Sequence, residues 1–566
     1  MKKVFVLAVL GLATAVRARA QAPAWQMAQV VDGSSSMVAA TATDASGNVY
    51  LAGSFSGTAS FGATVLSSAG ATDVFVAKWS PATSSFVWAQ RAGGTGPDRA
   101  TGLAVSAAGL YLSGSFGGAA ADFGSSRLLP LSSTGNGFVA KLTQAGSGAA
   151  WSWAQQLGGS SYGESAAIGL QGAALYVAGV FRGTAHFGSS TFTSSTAPNG
   201  SAATDMFVVR LSEAGSGPRV EWAQRADGVG WPTALAVEGR SVYLTGGFAG
   251  QASFGSTTLQ SVPPWALSQP LHDLFVAKLS DAGTGGSWAW AFRSGGSSTD
   301  WGTAVVASGG SVYVAGTFES VQVDAGSRVL LNPRPTPQGT ALPDGLLLKL
   351  TDAGTACTVS WALETGGENN IAAMSPSSGG LYLGGSFQGA TARFGSSTLQ
   401  QSAGPLFVAR LVDTGNTGTF VWAQQAGSSS SSQLQALSVA GPVIYAAGRV
   451  MTPARFGSLS AGAAGGTAPV GFLASLQDLA LATAGPAGAA RLQLVPNPAR
   501  GRVVVALPPG AVALKLVDAL GRTHRTQALR PATAEAEISL AGLVPGLYLV
   551  RVQAGGQTLS QRLLVE

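Results

Sequence analysis

A tyrosine followed by two small or apolar residues and a glycine returns seven times along the chain, as YLAG, YLSG, YVAG, YLTG, YVAG, YLGG and YAAG. The tyrosines are Tyr50, Tyr111, Tyr176, Tyr243, Tyr313, Tyr382 and Tyr445, spaced 61 to 70 residues apart. A period of this kind means one supersecondary unit, unable to bury its apolar face alone, stacked on copies of itself. Three further anchors follow each tyrosine in fixed order. Phe-Gly comes at Phe61, Phe123, Phe187, Phe254, Phe394 and Phe456, while the fifth copy has Val323-Asp324 near that place. An FVAK-like string begins at Phe75, Phe138, Phe207, Phe275, Leu346, Phe407 and Phe472. A Trp-Ala string then starts at Trp88, Trp153, Trp222, Trp290, Trp361 and Trp422.

Each unit reads as short strands between turns. Gly-rich turns such as Ser46-Gly47-Asn48 and Ser280-Asp281-Ala282-Gly283 supply the positive φ that tight hairpins need. Only 10% of residues are charged and 79 of 566 are glycine, a composition poor in helix formers. Four short strands per unit, repeated radially, predict a β-propeller. The ends of the array sharpen this. It closes on Phe472-Leu473-Ala474-Ser475 with no tryptophan strand after it, and it opens on a lone WQMAQ string at Trp25. The expected fold is therefore all-β: a seven-bladed propeller over 21–476, closed by the N-terminal strand. Such closure removes the exposed edges that invite aggregation.

The order GG…VYLAGSF…FG…DVFVAKL…WAQ over about 25–476 resembles the SBBP-type β-propeller repeat of exported bacterial proteins. The resemblance implies the fold and no particular activity. Kelch repeats share Gly-Gly, Tyr and Trp but at shorter spacing, and Trp-Asp ends are missing.

Residues 477–490 read as a linker, and a different β pattern begins at 491. Its landmarks are Pro496-Asn497-Pro498, then Asp518 with Gly521 and Arg522, then Gly546 and Tyr548 in GLYLVRV, then a last strand running to Glu566. These short strands predict a small β-sandwich. Their order resembles the type A sorting domain of type IX secretion. That resemblance implies the type IX secretion machinery as partner, and a protein secreted or attached to the outer surface of a Gram-negative bacterium.

The N-terminus agrees with export. Lys2-Lys3, an apolar run from Val4 to Val16 and Ala18-Arg19-Ala20 form a signal peptide over 1–20. The apolar run is too short to span a bilayer, and no transmembrane segment is expected in the mature chain. The formal charge of +6 is misleading: the leader brings +4 and the tail from Arg491 brings +5, leaving −3 for 21–490. No basic stripe runs through that segment, so nucleic acid is not expected as a partner. Cys357 is the single cysteine, read as a small structural residue, and an intramolecular disulfide is excluded.

Chemistry-bearing residues are few. His186 stands at a position that other copies fill with Ser60, Asp122, Ser253, Arg393 or Arg455, while His272 lies in a loop and His524 in the tail. No metal, phosphate-loop or EF-hand spacing occurs, and no cofactor is expected. Gly159-Ser160-Ser161-Tyr162-Gly163 fits G-x-S-x-G without the strand–elbow–helix setting of a nucleophile. The chain is read as a binding or adhesion module rather than an enzyme, its partner an extracellular glycan or surface protein. A polysaccharide-acting enzyme and a structural surface component are the alternatives. Between each Trp-Ala strand and the next unit lie residues the repeat does not require: Asp98 and Arg99, Tyr162 and Glu164, Trp231, Asp300 and Trp301, and Glu368, of which Asp98, Tyr162, Glu164, Trp231, Asp300 and Trp301 are the candidate binding residues. Aromatic faces cover the apolar face of a sugar and carboxylates accept from its hydroxyls. The competing reading has the acids holding turn amides and the rings packing on neighbouring units.

Overall fold

A computed structural model describes residues 22–146, 148–197, 200–214, 217–262, 271–336, 341–428, 431–463, 465–478, 492–507, 510–518, 522–530, 533–554 and 557–565. The signal peptide and most of the linker read from the sequence lie outside these residues. The chain divides into two compact units, Met1–Leu481 and Ala482–Glu566. Both are all-β.

In the first unit one antiparallel meander recurs. Its clearest copy pairs Asp300–Ser308 with Ser311–Phe318, that strand with Asp344–Asp352, and Asp344–Asp352 with Cys357–Glu364. The first strand of each copy lies just before the tyrosine strand, and the last carries the Trp-Ala string. Strand Asp344–Asp352, DGLLLKLTD, is buried on both faces over most of its length, which explains its unbroken apolar run. Between the third and fourth tyrosine copies a single long strand, Gly217–Glu238, closes one meander and opens the next. The meander of Gln433–Ala440, Val443–Val450 and Val470–Gln477 takes its outermost strand from the other end of the unit: Trp25–Val30 pairs antiparallel with Val470–Gln477. Trp25 packs edge-on against Phe456 at 5.3 Å and donates its indole N–H to the Gln425 carbonyl at 2.9 Å. The anchors named from the sequence are core residues; Tyr50, Tyr176, Tyr243, Tyr382, Phe61, Phe75 and Trp361 are among the largest fully buried side chains.

The Phe-Gly step makes a tight hairpin. Gly124 turns at φ +60°, and a Cβ there would come within 3.1 Å of the Trp151 side chain. The fifth copy corrects the sequence reading. Its hairpin is Gln322–Ala325 with Arg328–Leu331, and the turn glycine is Gly326 at φ +64°, two residues beyond Val323-Asp324.

A polar staple links consecutive copies. Asp352 accepts from Lys278 Nζ (2.5 Å), Tyr243 Oη (2.7 Å) and Trp290 Nε1 (2.9 Å), all in the preceding copy. Asp413 does the same for Lys349, Tyr313 and Trp361. Asp281 takes Tyr176, Trp222 and Arg210, Glu213 takes Lys141 and Trp153, and Asp478 takes Tyr382 and Arg410. Burial alone would raise the Asp413 carboxyl, but these donors and the Gly415 amide hold it down at about 2. At the first junction Gln144 stands in the acid's place and Asp44 supplies the charge to Tyr50. Where Tyr445 and Ser475 meet the first copy the staple is replaced by an apolar cluster of Tyr445, Leu473, Trp79, Phe75 and Val38.

The second unit packs a three-stranded sheet, Gln493–Val495, Arg502–Ala506 and Glu535–Ser539, and a four-stranded sheet, Thr523–Ala528, Ala511–Asp518, Gly546–Ala554 and Gln557–Val565. Val503, Val505 and Ile538 of one share a core with Leu514, Leu516, Val550 and Leu563 of the other.

Candidate binding cavity and sorting tail

The first strand of every meander carries a β-bulge at the same register. The residues skipped in the ladder are Ala39, Thr101, Ala166, Thr233, Thr303, Ala372 and Gln435. A bulge re-aims the side chains on either side of it. Two positions before each bulge residue stand, in chain order, Met37, Arg99, Glu164, Trp231, Trp301, Asn370 and Gln433. All seven differ except for the two tryptophans, whereas the anchors behind them barely change. The fold does not dictate this position.

Five of the seven, Met37, Arg99, Glu164, Trp231 and Trp301, line a single cavity of about 620 Å³ together with Thr101, Thr233 and Gln435 from the bulges. His272 joins them. Its ring lies 5.6 Å from Trp231 and 4.8 Å from Trp301, edge-on to both. Burial holds its imidazole at about 4, so it is neutral at physiological pH, and its Nε2 is buried with no hydrogen-bond partner among the described residues. Glu164 accepts from Tyr162 Oη at 2.7 Å. Burial, then this carboxylate, push the Tyr162 phenol up to about 12. Trp301 lies on Gly247 of the neighbouring meander, where a Cβ would come within 2.4 Å of its ring. That glycine is what lets the ring lie flat.

The six residues singled out from the sequence thus separate. Glu164, Trp231 and Trp301 line the cavity, and Tyr162 stands behind Glu164. Asp98 and Asp300 are buried, at 1% and 0% exposure. Asp98 accepts from the amides of Gly94 (2.6 Å) and Gly117 (3.2 Å). Asp300 accepts from Gly296 N and Ser320 Oγ, both at 2.7 Å, and from the amides of Glu319 and Ser320. Burial raises both carboxyls, to about 6 for Asp98 and about 7 for Asp300. They hold Gly-rich turns together and are not presented to a ligand, because those turns have amides that the sheet leaves unpaired. Met37, Gln435 and His272 were not singled out as site residues. The first two become visible only when the copies are aligned on their bulges. His272 directly precedes the strand Asp273–Asp281, where other copies have Thr72, Thr204 or Pro343, and its carbonyl accepts from the Asp300 amide at 2.7 Å as that of Thr72 does from Asp98. The Cys357 thiol, half-buried, is pushed up to about 11 by burial. No group of three His, Cys, Asp or Glu side chains able to hold a metal occurs among the described residues.

In the second unit the sorting landmarks are structural clamps. Asn497 donates to the Arg562 carbonyl (2.8 Å) and accepts from the Leu564 amide (2.9 Å), fixing the last strand. Asp518 accepts from Arg522 N (2.9 Å) and Nε (2.7 Å) and lies 3.0 Å from His524 Nε2. Tyr548 is buried and donates to the Val544 carbonyl at 3.0 Å. Pro496 and Pro498 flank Asn497, Gly546 opens the strand bearing Tyr548, and Gly521 lies outside the described residues.

Residues 493–566 match the family described as the secretion system C-terminal sorting domain. No curated protein matches the chain. The tail implies handling by the type IX secretion machinery and a protein that is secreted or attached to the cell surface. No helix among the described residues is long and apolar enough to cross a membrane.

Proposed function

We propose that the first unit is a seven-bladed SBBP-type β-propeller, each meander one blade, and that it serves at the cell surface as a glycan-binding module with no catalytic role. Neighbour relations among the bulged strands support the ring. Asp32–Thr43 packs against both Arg99–Ser106 and Gln433–Ala440; Asn369–Ser377 packs against both Asp300–Ser308 and Gln433–Ala440. Hydroxyls bridge from one bulge to the next strand, Thr101 Oγ1 to the Ser165 carbonyl and Thr233 Oγ1 to the Gly302 carbonyl, both at 2.6 Å. In this arrangement the cavity lies at one mouth of the central channel.

The observation that carries the binding reading is the uneven ring at the bulges. A scaffold whose anchors barely change presents a position that varies from copy to copy; the variation gathers two indoles, a guanidinium and a carboxylate around one cavity, and His272 adds an imidazole from outside that position. Aromatic walls with a few convergent polar groups are what a small-molecule or saccharide site requires. A glycosidase needs two carboxyls about 5–10 Å apart across one bond. Glu164 is the one carboxylate among the described cavity-lining residues, which favours binding over hydrolysis. The test is a glycan array probed with the secreted protein and with Trp231→Ala, whose melting temperature is measured alongside. Retained glycans that are lost in a folded Trp231→Ala protein support the site. Glycan retention unaffected by that change, or no retention by the parent, overturns it.

A further inference from the structure

Resting on that reading, the cavity's charges narrow the ligand further. Arg99 occupies the bulge-ring position that the other copies fill with Met37, Glu164, Trp231, Trp301, Asn370 or Gln433. Its side chain is exposed into the cavity region, and no carboxylate lies within ion-pair distance among the described residues. Most other arginines of this unit are committed: Arg91 and Arg293 to the buried Asp73 and Asp273, Arg210 to Asp281, Arg410 to Asp478. The neighbouring carboxylate of Glu164 is already engaged by Tyr162. A guanidinium carries five donors in a planar fork that matches an oxyanion bidentately. At Arg99 that capacity is unspent, in a cavity that Trp231, His272 and Trp301 also line.

We propose that the cavity selects an acidic saccharide, a sugar ring whose apolar face lies on the tryptophan wall while its oxyanion pairs with Arg99. A carboxylate from a uronic acid and a sulfate ester offer the same chemistry to a guanidinium, and the experiment separates them. The wall requires a ring with an apolar face, so a free inorganic anion is a poor ligand. His272, neutral, brings no charge that competes with Arg99 for the anion.

The experiment is calorimetric titration of the full secreted protein with trigalacturonate, with galactotriose and with galactotriose sulfated at O6, repeated for Arg99→Gln. One charge-assisted bidentate contact corresponds to about tenfold or more in affinity. Trigalacturonate or the sulfated sugar should therefore bind about tenfold tighter than galactotriose, with a preference that weakens as salt rises, and Arg99→Gln should bring the ratio close to one. Whichever acidic sugar shows the larger ratio identifies the oxyanion. Galactotriose bound as tightly as both acidic sugars overturns the charge assignment and leaves the binding reading standing. An acidic preference that survives Arg99→Gln overturns the role of Arg99. Failure of all three to bind overturns the charge assignment for these sugars and weighs against the glycan reading itself.

Discussion

Replacing Asp352 by alanine tests whether the staple between copies holds the array together. Asp352 and Lys278 are 8% and 7% exposed, and the carboxylate also accepts from Tyr243, Trp290 and the Gly354 amide. Alanine removes one acceptor and orphans several donors at once. Lys278 keeps only the Gly354 carbonyl, at 3.2 Å, and its ammonium stays buried beside the Tyr243 ring. Removing one partner of a buried ion pair costs about 3–5 kcal/mol, because the other charge is left uncompensated. The loss of Asp352→Ala should therefore fall in that range, read from urea unfolding followed by tryptophan fluorescence. Lys278→Met in the same chain should restore much of it, since a buried pair exchanged for apolar residues is often neutral. A coupling near zero in that double-mutant cycle, or an Asp352→Ala loss under about 1 kcal/mol, the range of an exposed pair, refutes the reasoning.

Two further outcomes follow from the same geometry. The Asp300 carboxyl, raised by burial to about 7, holds its proton in the fold at pH values where an unfolded aspartate, near 3.9, has lost it; its contribution is fully present below about pH 4, declines as pH rises and levels off above about 7. The stability difference between the parent and Asp300→Asn should shrink between pH 5 and pH 8 in thermal melts, and a constant difference would remove Asp300 from the account. Deleting Trp25–Val30 should leave Val470–Gln477 as an open edge, giving oligomers by light scattering; a monomer that melts like the parent would show that this strand closes nothing.

The anchors were legible because the core is built from them. A tyrosine, phenylalanine or tryptophan that must be buried in every copy repeats in the sequence, and the pairing of Trp25–Val30 with Val470–Gln477 follows from counting which copy lacks a tryptophan strand. The cavity was only partly legible. Trp231 and Trp301 stood out as residues the repeat does not require, but so did Asp98 and Asp300, and composition does not distinguish an acid that meets a ligand from one that meets backbone amides. That distinction depends on where Gly94, Gly117, Gly296 and Ser320 turn their N–H groups. The fifth hairpin misled for a related reason. Its phenylalanine is replaced by Ala325, and Gly326 is recognisable only by its φ of +64°.

The staples and the bulges divide the labour within each copy. A charged pair at the acid's turn ties a copy to the next through side chains buried near the tyrosine, so the bulged strand at the other end of the sheet is free to vary. At the junction of Tyr445 with the first copy the staple is missing, and Ser475 stands where other copies carry lysine or arginine. That junction is also where the two ends of the array meet. An ion pair there would leave a buried charge unpaired until both ends were in place, a cost of several kcal/mol for an isolated ion. The apolar contacts of Trp79, Tyr445 and Leu473 carry no such penalty, and the strand Trp25–Val30 supplies the backbone bonds that hold them together. Pro81 stands three residues after Lys78, the place Asp352 holds after Lys349 and Asp413 after Arg410. Introducing the pair, by Ser475→Lys with Pro81→Asp, should therefore slow refolding more than it changes the final stability. Unchanged refolding kinetics in that variant would separate the missing staple from the pairing of Trp25–Val30 with Val470–Gln477.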